Sequence, residues 1–385
     1  MTATAAPATS REILDAVGEL APAIARRAAE IETARRLPAD LLDDLKRVGC
    51  FRMLLPPSHG GSGVAVHEAM EVYEALAAAD GSVGWTVMIG SAAWCDLTGL
   101  PRPTFDALLC GTPDVIVGGA ISPSGTARRV EGGYVVSGRW GFVSGGEHCA
   151  WLFGNCLEDV DGEPRMRIAV VAPAEVTIED TWTVSGLCGT GSHHVVADEV
   201  FVPAERTLDV FSAQPCLDAP IVRVPPPALP ALCIASTALG VARGALSDVL
   251  ALATGKVPLL ASAPLAANPL FQYQLATADV ELQAARTLLH EHARAAWATA
   301  LDGAELTLPQ RAGIRASAVW ATARAAAVVD FAYHAGGGSS LYATSPLQRR
   351  LRDVHAVTQH FVVKPDTLRT AGAVLAGCEI DVPIF

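Results

Sequence analysis

The character of the sequence changes twice along the chain, and these changes constrain the fold more than any other feature. Up to about residue 112, apolar residues recur at three- and four-residue spacing, which predicts helices. Residues 113–222 form short β-rich runs separated by Gly, Pro and Asp. The proline-rich "RVPPPALPAL" then leads into long Ala-rich helical patterns. We therefore expect an α+β protein, mostly α, with a helical domain (1–112), a small antiparallel sheet or β-barrel (113–222) and a four-helix bundle (223–385).

Caps and prolines predict where the individual helices begin and end. Ser10 is expected to cap the first helix, and Pro22 to kink or split it. A second helix should follow Pro38 and end at Gly49. The other helical patterns cover residues 64–79, 83–97, 232–253, 275–300, 310–335 and 345–363.

The segment "GRWGFVSGGEHCAW" (138–151) is the most distinctive part of the β-rich region. The Glu-Gly-Gly run at 131–133 predicts a hairpin turn just before it. If the strand after the turn continues, Trp140 and Phe142 project from one face, and Ser144 closes the strand. These aromatics are either ordinary barrel core or the wall of a binding site.

Composition and missing motifs exclude several classes of protein. A net charge of −12 argues against nucleic-acid binding, and no apolar run reaches membrane-spanning length. The N-terminus does not resemble a signal peptide, and nine scattered cysteines indicate a reduced, cytoplasmic protein. There is no P-loop, no G-x-S-x-G elbow, and "GLCGTG" does not follow the Rossmann pattern. The spacing of the histidine pairs 193/194 and 355/360 does not suit chelation, and no C-x-x-C occurs, so the sequence predicts no metal site.

Four motifs, in order along nearly the whole chain, resemble the acyl-CoA dehydrogenase superfamily. They are "AISPSGTA" (120–127), "GRWGFVSG" (138–145), "GLCGTGSHHVVADEVFVP" (186–203) and "HAGGGSSLYATSPLQRRLRD" (334–353). In that superfamily such segments form a flavin-contacting loop, the strand lining the flavin ring, later barrel strands, and the glycine loop and helix that close the site. The resemblance implies a flavoprotein, because aromatics, a hydroxyl and glycines suit a flat ring with polar edges.

The end of the chain is similar to one particular branch of the superfamily. Many of its dehydrogenases place a glutamate base a short helix and turn after an Arg-Asp pair; here that place falls near Phe361, which cannot take a proton. "RLRDVHAVTQHF" instead resembles the flavin-dependent monooxygenases of two-component systems, such as hydroxyphenylacetate oxygenases. This implies reduced flavin from a separate flavin reductase, O2 as co-substrate, and oxygen transfer by a flavin C4a-hydroperoxide to a small aromatic or phenolic substrate.

The resemblance also implies roles for particular residues. His360 would face the substrate and take a phenolic proton, Ser144 would hydrogen-bond near flavin N5 or the peroxide, and Trp94 would wall the substrate pocket. Alternatively, His355 and His360 pair at a subunit interface, whereas His148 and His194 are expected to be structural. The implied flavin-binding positions are Ser122, Thr126, Trp140, Phe142, Ser144, and Gly336 and Gly337 from a neighbouring subunit.

Cofactor, assembly and alternative functions complete these expectations. Lys256 is the single cation of 252–276, where the dehydrogenases grip a pyrophosphate with arginine, which favours FMN over FAD. The family implies a homotetramer with D2 symmetry. The alternatives are an acyl-CoA dehydrogenase or oxidase with a displaced base, an amine N-oxygenase of the same fold, and a scaffold that has lost its flavin.

Overall fold

The N-terminal part of the computed structural model, which describes residues 8–110 and 114–380, is helical as expected. Thr9, one residue before the predicted cap, forms a capping box with Glu12, and the first helix continues through Pro22 without a break. Gly49 ends the second helix at φ +93°, where a side chain would be strained. The helices are α1 (Ser10–Ala34), α2 (Ala39–Val48), α3 (Val66–Ala79), α4 (Gly81–Ala92) and α5 (Arg102–Leu109).

The middle of the chain forms one seven-stranded sheet in the order β5-β6-β2-β1-β3-β4-β7. Gly132, at φ +76°, makes the predicted hairpin turn between β1 and β2. The β1–β3 pair is parallel, so the expectation of a purely antiparallel sheet is wrong at this pair. The strands are β1 (Val117–Val130), β2 (Gly133–Trp140), β3 (Trp151–Val160), β4 (Glu163–Val171), β5 (Thr177–Glu179), β6 (His194–Pro203) and β7 (Thr207–Asp209).

Trp140 fills the interior of the sheet and does not share a face with Phe142, which corrects the sequence prediction. Its indole is 3% exposed and donates from Nε1 to the Asn155 carbonyl at 2.8 Å. A Cβ added at Gly125 or Gly154 would lie 2.4 Å from this ring, so these glycines make room for Trp140. β2 ends at Trp140, and Phe142 at φ +63° turns outward because the alternation of a strand no longer applies.

The C-terminal helices pack against one another and against α3, as the predicted bundle requires. α6 is long and apolar enough to cross a membrane, but 89% of its apolar window is buried, which is usual for the core helix of a bundle. The predicted domain boundary at 112 lies outside the described residues, and the one at 222 falls between β7 and α6; both stay predictions. The helices are α6 (Ala228–Gly255), α7 (Pro269–Leu301), α8 (Leu308–Gly336), α9 (Pro346–Thr358) and α10 (Thr367–Leu375).

Candidate functional site

Ser144 is held by two loops that are hydrogen-bonded to each other. The loop after β2 bonds to the loop before β6 through Val143 N–H to His193 O (3.2 Å) and Gly145 N–H to Thr190 O (2.8 Å). Gly145 adopts φ +66°, which a residue without a Cβ allows. The pairing fixes the backbone on both sides of Ser144, so its hydroxyl has a defined direction.

A buried row of hydroxyl groups surrounds this serine. Trp85 of α4 donates from Nε1 to Ser144 Oγ at 3.0 Å, and Ser144 Oγ lies 2.8 Å from Ser192 Oγ. Ser192 Oγ is 2.7 Å from Thr190 Oγ1, which donates to the Leu187 carbonyl at 2.8 Å. The row joins the helical domain to the sheet, and each member is satisfied by its neighbour, as buried polar groups must be.

His360 lies on the other side of the same tryptophan. Its ring centroid is 5.7 Å from that of Trp85 in an edge-to-face arrangement, so Trp85 brings Ser144 and His360 into one site. Burial lowers the pKa of the His360 imidazole to about 4, because a charged ring would lose its hydration there. The ring is therefore neutral at physiological pH.

The hydrogen bond of His360 bears on its role as a proton acceptor, which stays a prediction. Val362 N–H donates to His360 Nδ1 at 3.3 Å, which occupies the lone pair on that nitrogen. A neutral imidazole with Nδ1 as acceptor carries its proton on Nε2. In this arrangement His360 can donate a hydrogen bond to a substrate oxygen but cannot take its proton.

His355 is outside this site. Its ring is exposed and its Nε2 lies 2.8 Å from Asp330 Oδ1 on α8, which is a surface ion pair when the ring is protonated. Of the two histidines that the sequence left open, only His360 contacts Trp85 among the residues that the structure describes.

Phe142 and Trp182 place exposed aromatic surface beside Ser144. Phe142 is 76% exposed, and its ring centroid lies 6.0 Å from that of Trp182. Trp182 is fixed because its Nε1 donates to Leu187 O at 3.1 Å and its backbone N–H donates to His193 Nδ1 at 3.2 Å. An exposed aromatic edge next to a buried hydroxyl is suited to a flat ligand with a polar edge.

The other predicted site residues are two buried tryptophans and four residues on β1 and at the end of α8. Trp94 is buried in the helical domain with its Nε1 on Ser91 O at 2.9 Å, and Trp140 is buried inside the sheet; their roles at a substrate pocket and at a flavin stay predictions. Ser122 and Thr126 are exposed on β1, a strand where a loop was predicted. Gly336 and Gly337 end α8, where Lys256 Nζ bonds Gly336 O and Ser339 Oγ.

Four residues of the site were not singled out from the sequence. Trp85 lies 59 positions before Ser144 in the chain, and only the packing of α4 on the sheet joins them. Thr190 and Ser192 belong to the recognised "GLCGTGS" motif, so their hydroxyls beside glycines were the available signal. The fourth is Trp182.

Two buried carboxyl groups lie beside the site, and one of them holds the loop that carries Leu187. Asp353 of α9 accepts from Leu187 N–H at 2.7 Å, and Asp80 caps α4 by accepting from Ser82 N–H and Val83 N–H. Burial and the neighbouring Asp80 raise the pKa of Asp353 to about 7; burial also raises that of Asp80. The acceptor end of the hydroxyl row is thereby tied to α9.

Two further features lie outside this site. A cleft of about 440 Å³ between the helical domain and α7 is lined by Pro56, His67, Trp297 and others, and none of the predicted site residues lines it. His59, Asp106 and Cys110 bring ligand atoms within 4.8 Å of one another. Asp106 there already accepts from His59 (2.8 Å) and Arg102 (2.6 Å), so it is an ion-paired surface cluster.

The residues around Ser144 fit a flavin. Ser144 Oγ keeps one unused lone pair, exposed aromatic surface flanks it, and the hydroxyl of Thr86 beside Gly145 is buried without a partner among the described residues. Such polar atoms at the edge of an aromatic surface are what a ring with hydrogen-bonding edges requires.

Comparison with known proteins agrees with this geometry. Family models for the acyl-CoA dehydrogenase N-terminal and C-terminal domains match residues 7–98 and 232–365. The chain is 32% identical to indole-3-acetate monooxygenase of Pseudomonas putida (91% of this chain, 90% of that protein). It is also 32% identical to the oxygenase component of the FADH2-dependent resorcinol hydroxylase of Rhizobium sp. (89% and 88%). The structure of XiaF from Streptomyces sp., in complex with FADH2 and glycerol, superimposes with a TM-score of 0.92 at 26% identity (98% of each chain).

Fold, site and relatives together define a flavoprotein of the acyl-CoA dehydrogenase fold, and the chain belongs to the acyl-CoA dehydrogenase superfamily. Within it, these relatives are flavin-dependent monooxygenases, which confirms the branch predicted from "RLRDVHAVTQHF". The resorcinol hydroxylase component and XiaF are both named with FADH2, and the preference of this chain for FMN stays a prediction.

Proposed function

We propose that this protein is the oxygenase component of a two-component monooxygenase and hydroxylates a small phenolic compound in the cytoplasm. The observation that carries the proposal is that Trp85 joins the Ser144 hydroxyl to a neutral His360 in one site. When bound, reduced flavin (FADH2 or FMNH2) from a separate reductase would supply two electrons to molecular oxygen, from which one atom enters the product and the other leaves as water.

The side chains of the site divide the work between cofactor and substrate. Ser144 would accept a hydrogen bond from the edge of a bound flavin, and Phe142 and Trp182 would offer it aromatic surface. His360 donates from Nε2 to the phenolic oxygen and so orients the substrate ring. Phe361 packs on His360 with a centroid distance of 4.9 Å where the dehydrogenases place their base, so the site lacks that proton acceptor.

Product analysis tests this function. The full chain is mixed anaerobically with dithionite-reduced FAD or FMN and a phenol such as resorcinol, or with indole-3-acetate, and is then exposed to ¹⁸O2. We expect one ¹⁸O atom in a hydroxylated product identified by mass spectrometry. Oxidation of the flavin without product for any phenol or indole, together with bleaching of bound oxidised FAD by an acyl thioester, would instead establish the dehydrogenase alternative.

We also propose that the protein is a homotetramer. α7 exposes large apolar side chains, among them Tyr273 and Val280, which are seven residues apart and so share a face that a second copy of the bundle would cover.

Light scattering after gel filtration tests the assembly. We expect a mass about four times that of the 40.0 kDa chain. The double variant Tyr273→Glu/Val280→Glu should have a mass below that of a tetramer, because charge on the interface is costly to bury. The control Arg11→Ala, at an exposed position on α1, should leave the mass unchanged. A wild-type mass of one chain would contradict the proposal.

A further inference from the structure

The hydrogen bonds around Ser144 run in one direction. Thr190 Oγ1 gives its single proton to the Leu187 carbonyl, which can only accept (2.8 Å). The contact between Thr190 and Ser192 (2.7 Å) must therefore use the Ser192 proton. By the same counting, the contact between Ser192 and Ser144 (2.8 Å) uses the proton of Ser144. Every hydroxyl proton in the row points away from Ser144 towards Leu187.

Ser144 is left as an acceptor only. The Trp85 indole has a donor and no acceptor, so at 3.0 Å it takes one of the two lone pairs on Ser144 Oγ. One lone pair remains and no proton does. Thr190, Ser192 and Ser144 are 1%, 3% and 8% exposed, so water does not provide an alternative partner for these hydroxyls.

The accepting end of the row is itself fixed. Leu187 O also receives Trp182 Nε1–H at 3.1 Å, and Leu187 N–H is held by Asp353 at 2.7 Å. Leu187 N–H belongs to the peptide unit before this residue and Leu187 O to the unit after it, so the backbone is held on both sides of Leu187. The polarity of the row is therefore set by backbone that the surrounding structure holds in place.

We propose that Thr190 and Ser192 are positioning residues through which Ser144 selects the reduced flavin. The inference rests on the proposed function, in which Ser144 contacts the ring edge at N5. Reduced flavin has an N–H donor at N5, whereas oxidised flavin has a lone pair there. A Ser144 hydroxyl that can only accept hydrogen bonds favours binding of the reduced flavin and disfavours binding of the oxidised flavin. Ser144 can donate only if all the hydrogen bonds of the row reverse, and Thr190 then loses its bond to Leu187 O.

The test compares Thr190→Val with Thr190→Ser in the full chain. Dissociation constants are measured for oxidised FAD and FMN, and anaerobically for the dithionite-reduced forms. Thr190→Val removes the hydroxyl that bonds Leu187 O, so the direction of the row is no longer fixed. We expect the ratio of the dissociation constant for oxidised flavin to that for reduced flavin to fall about five- to tenfold, which is the contribution of one hydrogen bond. A tenfold change corresponds to about 30 mV in the two-electron potential of the bound flavin. Thr190→Ser keeps the hydroxyl and should keep the ratio.

Ser192→Ala provides a second variant that does not depend on the first. It removes the acceptor of the Ser144 proton, so Ser144 becomes able to donate to oxidised flavin and the ratio should again fall. If the folded variants bind oxidised and reduced flavin more weakly by the same factor, the ratio is unchanged. That result would show that these residues only support packing and would overturn the inference. If the wild-type chain binds neither form of flavin, the proposed function itself fails and the inference falls with it.

Discussion

His360→Ala is expected to lower the rate of substrate hydroxylation about 10- to 100-fold. In the structure the ring is neutral, with Nδ1 on Val362 N–H, so Nε2–H is available to a phenolic oxygen. Loss of one hydrogen bond to a charged or partly charged oxygen costs about 1.5–3 kcal/mol, which corresponds to that range. We expect the lost product to appear as hydrogen peroxide, because a poorly held substrate leaves oxygen reduction uncoupled. Product and peroxide are measured together in single turnovers with reduced flavin.

The control for this variant is His355→Ala. That ring is exposed and paired with Asp330, so its removal should leave hydroxylation within about twofold of wild type. His360→Gln keeps an N–H donor and should recover part of the activity lost in the alanine variant. If His355→Ala has the larger effect, the site is wrongly assigned.

The pH profile separates a hydrogen-bond donor from a general base. Burial lowers the pKa of His360 to about 4, so its protonation state does not change above pH 5.5. We therefore expect no ionisation between pH 6 and 8 that disappears in His360→Gln. The pH–rate profile of the wild type could instead show an ionisation near pH 6.5 that is absent from His360→Gln. That result would support the base role predicted from the sequence.

Arg350→Ala is expected to lower the free energy of unfolding by about 3–5 kcal/mol, because it breaks a buried ion pair and leaves its partners unpaired. The guanidinium bonds Asp248 at 3.1 Å and the carbonyls of Ala77 (3.0 Å) and Ala78 (2.6 Å) at the end of α3. A Cβ added at Gly244 would lie 2.6 Å from Arg350 Cζ, so the absence of a side chain on α6 gives the group its space.

Urea unfolding of full-length variants measures this effect. Arg350→Lys keeps the charge but cannot span the same acceptors, so an intermediate loss is expected. Arg11→Ala removes an arginine from an exposed i,i+4 pair with Asp15 and should change stability by no more than about 0.5 kcal/mol. Similar losses for Arg350→Ala and Arg11→Ala would show that the buried cation does not join α3, α6 and α9.

Predictions from the sequence succeeded where the signal is local or carried by a motif. The turn at Gly132 was identified from two adjacent glycines, and the bundle helices were placed to within a few residues by apolar spacing. The placement of Phe142 failed because alternation holds only while a strand continues, and β2 ends two residues earlier. The role of Trp94 at a substrate pocket stays a prediction; in the structure its indole packs inside the helical domain and donates to Ser91 O.

The sequence by itself determined the order of helices and strands, the superfamily and its branch, and Ser144 and His360 as candidates. These follow from periodicity and short motifs, which need no knowledge of distant contacts. Tertiary structure alone decided that Trp85 joins these two residues and that the hydroxyl protons of Ser144, Ser192 and Thr190 all point towards Leu187. The direction of a hydrogen bond depends on which atoms meet and how many protons they have. That is settled only when α4, the loop before β6 and α9 pack around one serine.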